Sequence, residues 1–317
     1  MTPLNGIALL GDYVYFGILY DSTNAAVDRV PYDGAAAQPF NTTEGNGTTY
    51  VTTDGQGLVL WTDNTYQKLF AQPAGGGSDY TVADWTALTD AHNAEGNMYI
   101  GADALFVAGG AVYFTTDFPQ AVYRAATSGS QQLNFQTVAM TAGRPGGVVV
   151  DADSVYWVDG ATIYYEKLSD IDAGGSGAQQ FASSAGLQSP LAIDAERVYW
   201  ITGESSTHVQ SLPKSSPSGT PLDYGGSDAA AIAVDPASTG YVYWATGKGA
   251  VMASDKGGGQ PITLACSRTT MGPPTGADNP VSIAVDCGAV YWIAPGGHDA
   301  DGGDVPCAVL KAAKPPP

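Results

Sequence analysis

One apolar phrase recurs seven times along the chain, and a recurrence of that length leaves few folds open. Its clearest copies are GGVVVDADSVYWVDG from Gly146, SPLAIDAERVYWITG from Ser189, AAIAVDPASTGYVYWATG from Ala230 and VSIAVDCGAVYWIAPG from Val281. Looser copies precede them: NGIALLGDYVYFG from Asn5, YVTTDGQGLVLWTD from Tyr50 and ALFVAGGAVYFTTD from Ala104. The second large ring of each copy falls at Phe16, Trp61, Phe114, Trp157, Trp200, Trp244 and Trp292. Successive spacings are 45, 53, 43, 43, 44 and 48 residues, close to the roughly 40–50 residues of a four-stranded propeller blade. Copies spaced this way fill the 317 residues.

Within a copy, the first apolar run is too short for a helix and reads as a strand buried on both faces, strand A, nearest a central axis. The run ending in Tyr-Trp is strand B. Looser alternations, such as Thr162 to Leu168 and Val209 to Leu212, are strand C, and stretches such as Gln136 to Ala139 and Pro261 to Cys266 are strand D. Glycine-rich joints at 74–78, 174–177 and 257–259 mark turns from C to D. Blades radiating from an axis leave a wedge that widens outward, which calls for large rings on strand B and small residues on strand A. Gly6, Ala104, Gly147, Ala231 and Ser282 enter strand A, with Tyr50 and Pro190 the exceptions. The expected fold is therefore all-β: a seven-bladed β-propeller of four-stranded antiparallel blades, with approximate limits 1–47, 48–100, 101–144, 145–187, 188–226, 227–278 and 279–317.

Both ends start and stop on repeat boundaries. Thr2–Asn5 aligns with the 279–282 connection that precedes strand A, and Val305–Lys311 reads as strand C before three closing prolines. The last blade is therefore expected to hold three strands, with its seam to blade one closed by side-chain packing. The abrupt start fits a piece of a longer surface protein.

The Tyr-Trp copies resemble the YWTD-type repeats of receptor propellers and, more loosely, NHL-type and other secreted bacterial propeller repeats. The nearest matches to that motif are Leu60-Trp61-Thr62-Asp63 and Tyr156-Trp157-Val158-Asp159; three later copies lack the final Asp. YWTD propellers have six blades, whereas this chain counts seven copies. The resemblance implies an extracellular or protein-binding propeller, and it carries over no catalytic residue.

The net charge of −19 repels polyanions and disfavours nucleic acid or an anionic membrane as partner. No apolar run reaches the length of a membrane span, so membrane insertion is not expected. Few Lys and Arg among many Asn, Ser and Thr fit a secreted, periplasmic or cell-surface protein whose targeting segment is not in this sequence. Three cysteines without CxxC spacing give neither a zinc nor a redox motif. If a disulfide forms, the topology favours Cys266 with Cys307, and places Cys287 on the opposite face.

Aspartates close strand A at Asp54, Asp151, Asp194, Asp235 and Asp286. Repetition in five blades is what a turn requirement predicts, since a carboxylate there accepts hydrogen bonds from turn amides. No cofactor is required by any motif. The candidate metal site is His298-Asp299-Ala300-Asp301-Gly302-Gly303-Asp304, in which Asp299, Asp301 and Asp304 alternate with small residues and could wrap Ca²⁺, although the spacing is not that of an EF-hand. Candidate ligand-binding residues are Trp85, His92 and Asn97 in the one oversized connection, together with Glu204, His208 and His298 in B to C loops. No nucleophile elbow, zincin or phosphate-loop motif is present. The expectation is a non-catalytic binding or scaffolding propeller that presents its D to A and B to C loops to a protein or glycan. The rival is a metal-dependent lyase or lactonase with a site on the axis. Of the residues one step before the small ones, only Asn5 and Asp103 are plausible ligands for such a metal.

Overall fold

The computed structural model describes residues 2–19, 25–41, 48–63, 68–84, 102–117, 119–128, 135–174, 177–187, 190–203, 207–226, 228–236, 239–265, 282–294, 297–298, 304–305 and 308–315. Among the described residues six antiparallel sheets of four strands and one of three follow one another along the chain, the four-stranded ones running A, B, C, D and the last A, B, C in simple up-and-down order. Blade four is typical: Pro145–Val150, Ser154–Asp159, Thr162–Lys167 and Gln179–Ser183. Each inner strand touches the next, and the first touches the last, so the seven blades close a ring.

The repeat predicts the core position by position. Phe16, Trp61, Phe114, Trp157, Trp200, Trp244 and Trp292 are all buried, each directly opposite an aliphatic residue of strand A: Ile7, Val51, Leu105, Val148, Leu191, Ile232 and Ile283. Burying one tryptophan removes roughly 200 Å² from water, worth about 5 kcal/mol before entropic costs. The apolar side chains gather between blades rather than within them. One cluster joins Leu60, Leu69 and Val82 of blade two to Val112, Phe114 and Tyr123 of blade three. Another joins Tyr199 and Val209 of blade five to Ile232 and Trp244 of blade six.

Among the described residues blade seven has three strands, Ile283–Val285, Ala289–Ala294 and Ala308–Ala313. Its seam with blade one is packed by Phe16, Ile18, Ala26 and Ile293, with Val309 against them. Tyr32 stacks on Tyr291 across the seam, ring centroids 5.1 Å apart, and Lys311 Nζ donates to the Tyr32 carbonyl.

Two strand limits differ from the sequence reading. Thr2–Asn5 is not a connection but the first part of a nine-residue strand A, Thr2–Leu10, in which Thr2 pairs with Leu19 and a register shift falls between Pro3 and Ile7. Val305 does not begin strand C: Gly297–His298 and Asp304–Val305 form a small ladder of their own, and strand C starts at Ala308. Thr2–Asn5 lacks the apolar run and alternation of the other strands, and 297–305 is polar and glycine-rich, so neither announced pairing that depends on the backbone alone. A five-residue helix, Leu168–Asp172, also follows strand C of blade four and buries Ile171.

Candidate functional site

The two faces of the ring carry different chemistry. On the A to B face the recurring aspartates are turn acceptors. Asp54 Oδ1 accepts from the amides of Gln56, Gly57 and Leu58 at 2.8–2.9 Å, Asp151 Oδ1 from Asp153 and Ser154, and Asp286 Oδ1 from Gly288 and Ala289. The other oxygen of four of them, Asp151, Asp194, Asp235 and Asp286, takes the hydroxyl of the strand B tyrosine or a lysine from the neighbouring blade. Tyr199 donates to Asp194 at 2.8 Å, and Tyr291 donates to Asp286 at 3.0 Å.

The residue that follows strand C occupies one equivalent place in every blade, because its amide donates back to its own A to B turn: Tyr32, Ala74, Thr127, Leu168, Lys214, Lys256 and Lys314. That residue reaches the preceding blade. Lys214 pairs with Asp151 and Lys256 with Asp194, both at 2.7 Å, and Lys314 pairs with Asp235. Where the preceding blade has no aspartate, the lysine is missing too. Leu10 of blade one shares a cluster with Ala74, and Ala108 of blade three with Leu168. Charge meets charge at three seams and carbon meets carbon at two, while the neutral Thr127 and Tyr32 follow the blades that carry Asp54 and Asp286.

The electrostatics agree. Burial would raise the Asp194 carboxyl, but hydrogen bonds from Lys256, Tyr199 and the amides of Glu196 and Arg197 outweigh it and hold it below the usual carboxylate range. Asp286 is lowered in the same way: the amides of Gly288 and Ala289, the Tyr291 hydroxyl and the charge of Lys314 overcome its burial. Burial together with the nearby Asp286 pushes the Tyr32 phenol up to about 12. Tyr199 and Tyr291 are raised further by burial and their aspartate partners.

On the other face, strands A start at the mouth of an axial channel. Gly6, Tyr50, Ala104, Gly147, Pro190, Ala231 and Ser282, one from each blade, line a cavity of about 470 Å³. These are the seven residues the sequence places at the entry of strand A. The described residues lining the cavity include no carboxylate or imidazole. Beside it lies a second pocket of about 310 Å³, lined by Tyr50, Arg144, Pro145, Val158 and Leu187 with Gly146 and Gly160. The turn that carries Arg144 is tied to its own blade: Asp159, the last residue of the YWVD copy, accepts from the amides of Ala142 and Gly143 at 3.0 Å, and Thr141 Oγ1 donates to the Gly143 carbonyl at 2.8 Å. A Cβ on Gly143 would stand 2.9 Å from Asp159 Oδ1, so glycine allows this close approach.

Most of the candidates named from sequence fall outside the described residues: Trp85, His92, Asn97, Glu204, Asp299, Asp301 and the Cys266 and Cys307 pair. For His298 and Asp304 the backbone is described, and they pair with each other in the small ladder of blade seven. The side chains of Asn5 and Asp103 are likewise not described. His208 is not in a loop but opens strand C of blade five, and its Nδ1 lies 3.2 Å from Asp223 Oδ2 across to strand D. Cys287 is exposed and free in the A to B turn of blade seven. Sequence reasoning passed over Arg144 and valued Tyr50 only as an exception to the small residues. The available signal was broken symmetry, since the positions equivalent to Arg144 read Pro3, Gly47, Gly101, Leu187, Asp228 and Asn279.

Comparison with solved structures finds the same architecture over most of the chain. A structure of the nidogen/laminin complex aligns with TM-score 0.52 at 18% identity over 74% of this chain and 87% of that one. A streptogramin B lyase aligns with TM-score 0.62 at 12% identity over 98% and 93%, and virginiamycin B lyase from Staphylococcus aureus with 0.62 at 11% over 99% and 95%. What they share with this chain is the propeller. No family model matches the sequence, and no curated protein does.

Proposed function

We propose that this chain is a non-catalytic binding or scaffolding propeller, exported from its cell, that presents the face built by the D to A and B to C loops to a protein partner. The observation that carries the reading is the contrast between the faces. Residues on the A to B face repeat from blade to blade and satisfy one another, which is structural work. Symmetry breaks at the channel mouth, where one blade contributes Arg144 and another Tyr50 beside an apolar wall. Fold alone does not choose between binding and catalysis, and similar folds occur in both a nidogen/laminin complex and a lyase.

The test places a charge in the mouth. Leu187→Asp and Gly160→Asp are compared with wild type for binding to a panel of extracellular proteins and glycans, with metal content and lyase turnover measured on the same preparations. The reading expects a partner whose binding both substitutions weaken, in protein that carries no stoichiometric metal on the axis. A stoichiometric metal held on the axis, together with turnover, would replace the binding reading with the enzymatic one.

A further inference from the structure

We propose that the outer edge of strand C in blade seven, Ala308–Ala313, accepts an extended segment of another protein as the blade's fourth strand, and that this segment reads Glu or Gln, then Thr, an apolar residue and Ala. The proposal concerns the rim of the ring and stands apart from the reading of the channel mouth. In the six four-stranded blades, the strand C residue paired just beyond the strand B ring is sealed completely: Val27, Leu69, Val122, Ile163, Val209 and Val251 are 0% exposed. Its counterpart in blade seven, Val309, is only half-buried, and the next residue, Leu310, which pairs with Trp292, is 42% exposed. No residue of this strand is buried, and among the described residues no strand pairs with its outer edge. A row of backbone donors and acceptors beside exposed aliphatic side chains is a template for strand addition.

What fits that edge is written in the chain itself. In five blades strand D carries a β-bulge at one place, where the residues are Pro39-Phe40-Asn41, Thr81-Val82-Ala83, Thr137-Val138-Ala139, Gln180-Phe181-Ala182 and Thr263-Leu264-Ala265. The last of each three pairs with the sealed strand C residue, the first pairs with its neighbour, and the middle one is the extra residue of the bulge. That extra residue reaches toward the next blade: Val82 joins the cluster of Val112 and Phe114, and Phe181 joins that of Val198 and Trp200. On blade seven a guest with the same grammar sets Ala against Val309 and Thr against Leu310. Its apolar residue is directed to the seam of Phe16, Ile18 and Ile293.

Charge complementarity sets the residue before the Thr. In blade three that place is Gln136, whose Oε1 accepts from Arg124 Nε and Nη2 at 3.0 and 2.8 Å, and Arg124 corresponds to Lys311 in blade seven. Lys311 is exposed, and of the three donors of an ammonium the Tyr32 carbonyl takes one. A Glu facing it adds an ion pair to the ladder. A second copy of this chain is a poorer donor, because its described D strands are held in their own blades and two bodies of net charge −19 repel.

The experiment uses the full chain and a fluorescent, end-blocked peptide that copies the blade-three strand, Phe135–Met140, with Gln136→Glu. Its anisotropy should saturate, and hydrogen exchange in fragments spanning 308–313 should slow when it binds. Leu310→Asp should weaken binding at least about tenfold, the effect of losing one apolar contact of this size. Val138→Asp in the peptide should do the same, and it carries the test without altering the chain. Lys311→Gln should weaken the Glu peptide severalfold and its Gln twin less. Lys248→Gln, a cation in the B to C turn of blade six, should leave binding unchanged. Leu310 and Lys311 are exposed, so both variants should melt with wild type. No saturation up to about 1 mM peptide, binding indifferent to Leu310→Asp and to Val138→Asp, or unchanged exchange at 308–313 would each overturn the proposal. So would a dimer that forms with rising concentration and is lost in Leu310→Asp while the peptide does not bind, which would give the edge to a second copy.

Discussion

Replacing Lys256 by methionine isolates the contribution of one inter-blade ion pair, because methionine keeps most of the volume and removes the charge. The Lys256 side chain is 6% exposed, and that of its partner Asp194 is 1% exposed. Its ammonium donates to Asp194 Oδ2 and, at 2.6 Å, to the Asp235 carbonyl. Removing one member of a buried pair commonly costs 3–5 kcal/mol, because the other charge stays buried without its counterion. Asp194 keeps the Tyr199 hydroxyl and two turn amides, which places the expected loss near the low end, about 3 kcal/mol. With an unfolding entropy of roughly 2.1 cal/mol/K per residue, that loss lowers the melting temperature of the 317-residue chain by about 4–5 °C. Lys214→Met, whose pair is 15% and 20% exposed, should lose less, about 1–2 kcal/mol. Lys248→Met, on a side chain 76% exposed, should lose almost nothing. The assay is thermal unfolding by tryptophan fluorescence, completed by the cycle with Asp194→Asn, in which the double variant should lose less than the two singles together. Acid supplies an independent check. Because the folded carboxyl of Asp194 lies below its ordinary value of 3.8, its stabilisation is present above that value and is lost as pH falls through the lower folded one. The gap between wild type and Lys256→Met should therefore narrow below about pH 4. Equal melting temperatures for wild type and Lys256→Met, or strict additivity in the cycle, would refute the idea that these pairs lock neighbouring blades.

Other outcomes follow from the same geometry. Tyr32 and Tyr156 are pushed up to about 12, chiefly by burial, while Tyr199, Tyr243 and Tyr291 are held higher still; these phenols stay neutral in the fold, so their contribution to stability is whole below the ordinary tyrosine value of 10.0 and fades as pH rises toward their folded values. Absorbance at 295 nm should show these five tyrosines ionising only with unfolding, and their ionisation near the ordinary value while the fold is intact would contradict this. Gly6→Ala should destabilise by at least about 1 kcal/mol, since Gly6 has φ +107° and an added Cβ would stand 2.6 Å from the Val51 amide nitrogen across the blade one to two seam, whereas Gly75→Ala, with nothing within 4 Å, should be neutral; equal melts would negate the close approach. If Asp299, Asp301 and Asp304 hold Ca²⁺, chelator should lower the melting temperature of wild type and leave Asp301→Ala unmoved, and identical wild-type melts with calcium and with chelator would remove the site.

How much of this was legible in the sequence depends on how local the cause is. The Trp157, Trp200, Trp244 and Trp292 series announced itself because a wedge between blades demands a ring at one repeat position, and the demand recurs every blade. The turn role of Asp54, Asp151, Asp194, Asp235 and Asp286 was legible for the same reason: acceptor and donors lie within a few residues. The lysines that complete three of those aspartates were not. Lys256 lies 62 residues from Asp194 in the chain, so only the ring brings them together. The mouth pocket was hidden for the opposite reason, since Arg144 and Tyr50 are single departures from the repeat, and a reading built on repetition discounts departures. The longer first strand was missed because its opening, Thr2–Asn5, has neither the alternation nor the apolar run that marks the other strands.

The most direct test of the account is hydrogen exchange, followed by mass spectrometry, on the full chain with and without a saturating partner found by the binding panel. The account predicts slowed exchange at the channel mouth, in fragments spanning 141–147, 158–161 and 186–191 and around Tyr50, with the A to B turns that hold Asp151, Asp194 and Asp235 unchanged. Protection concentrated on the A to B turns, with the channel mouth exchanging as fast as in the free protein, would contradict it.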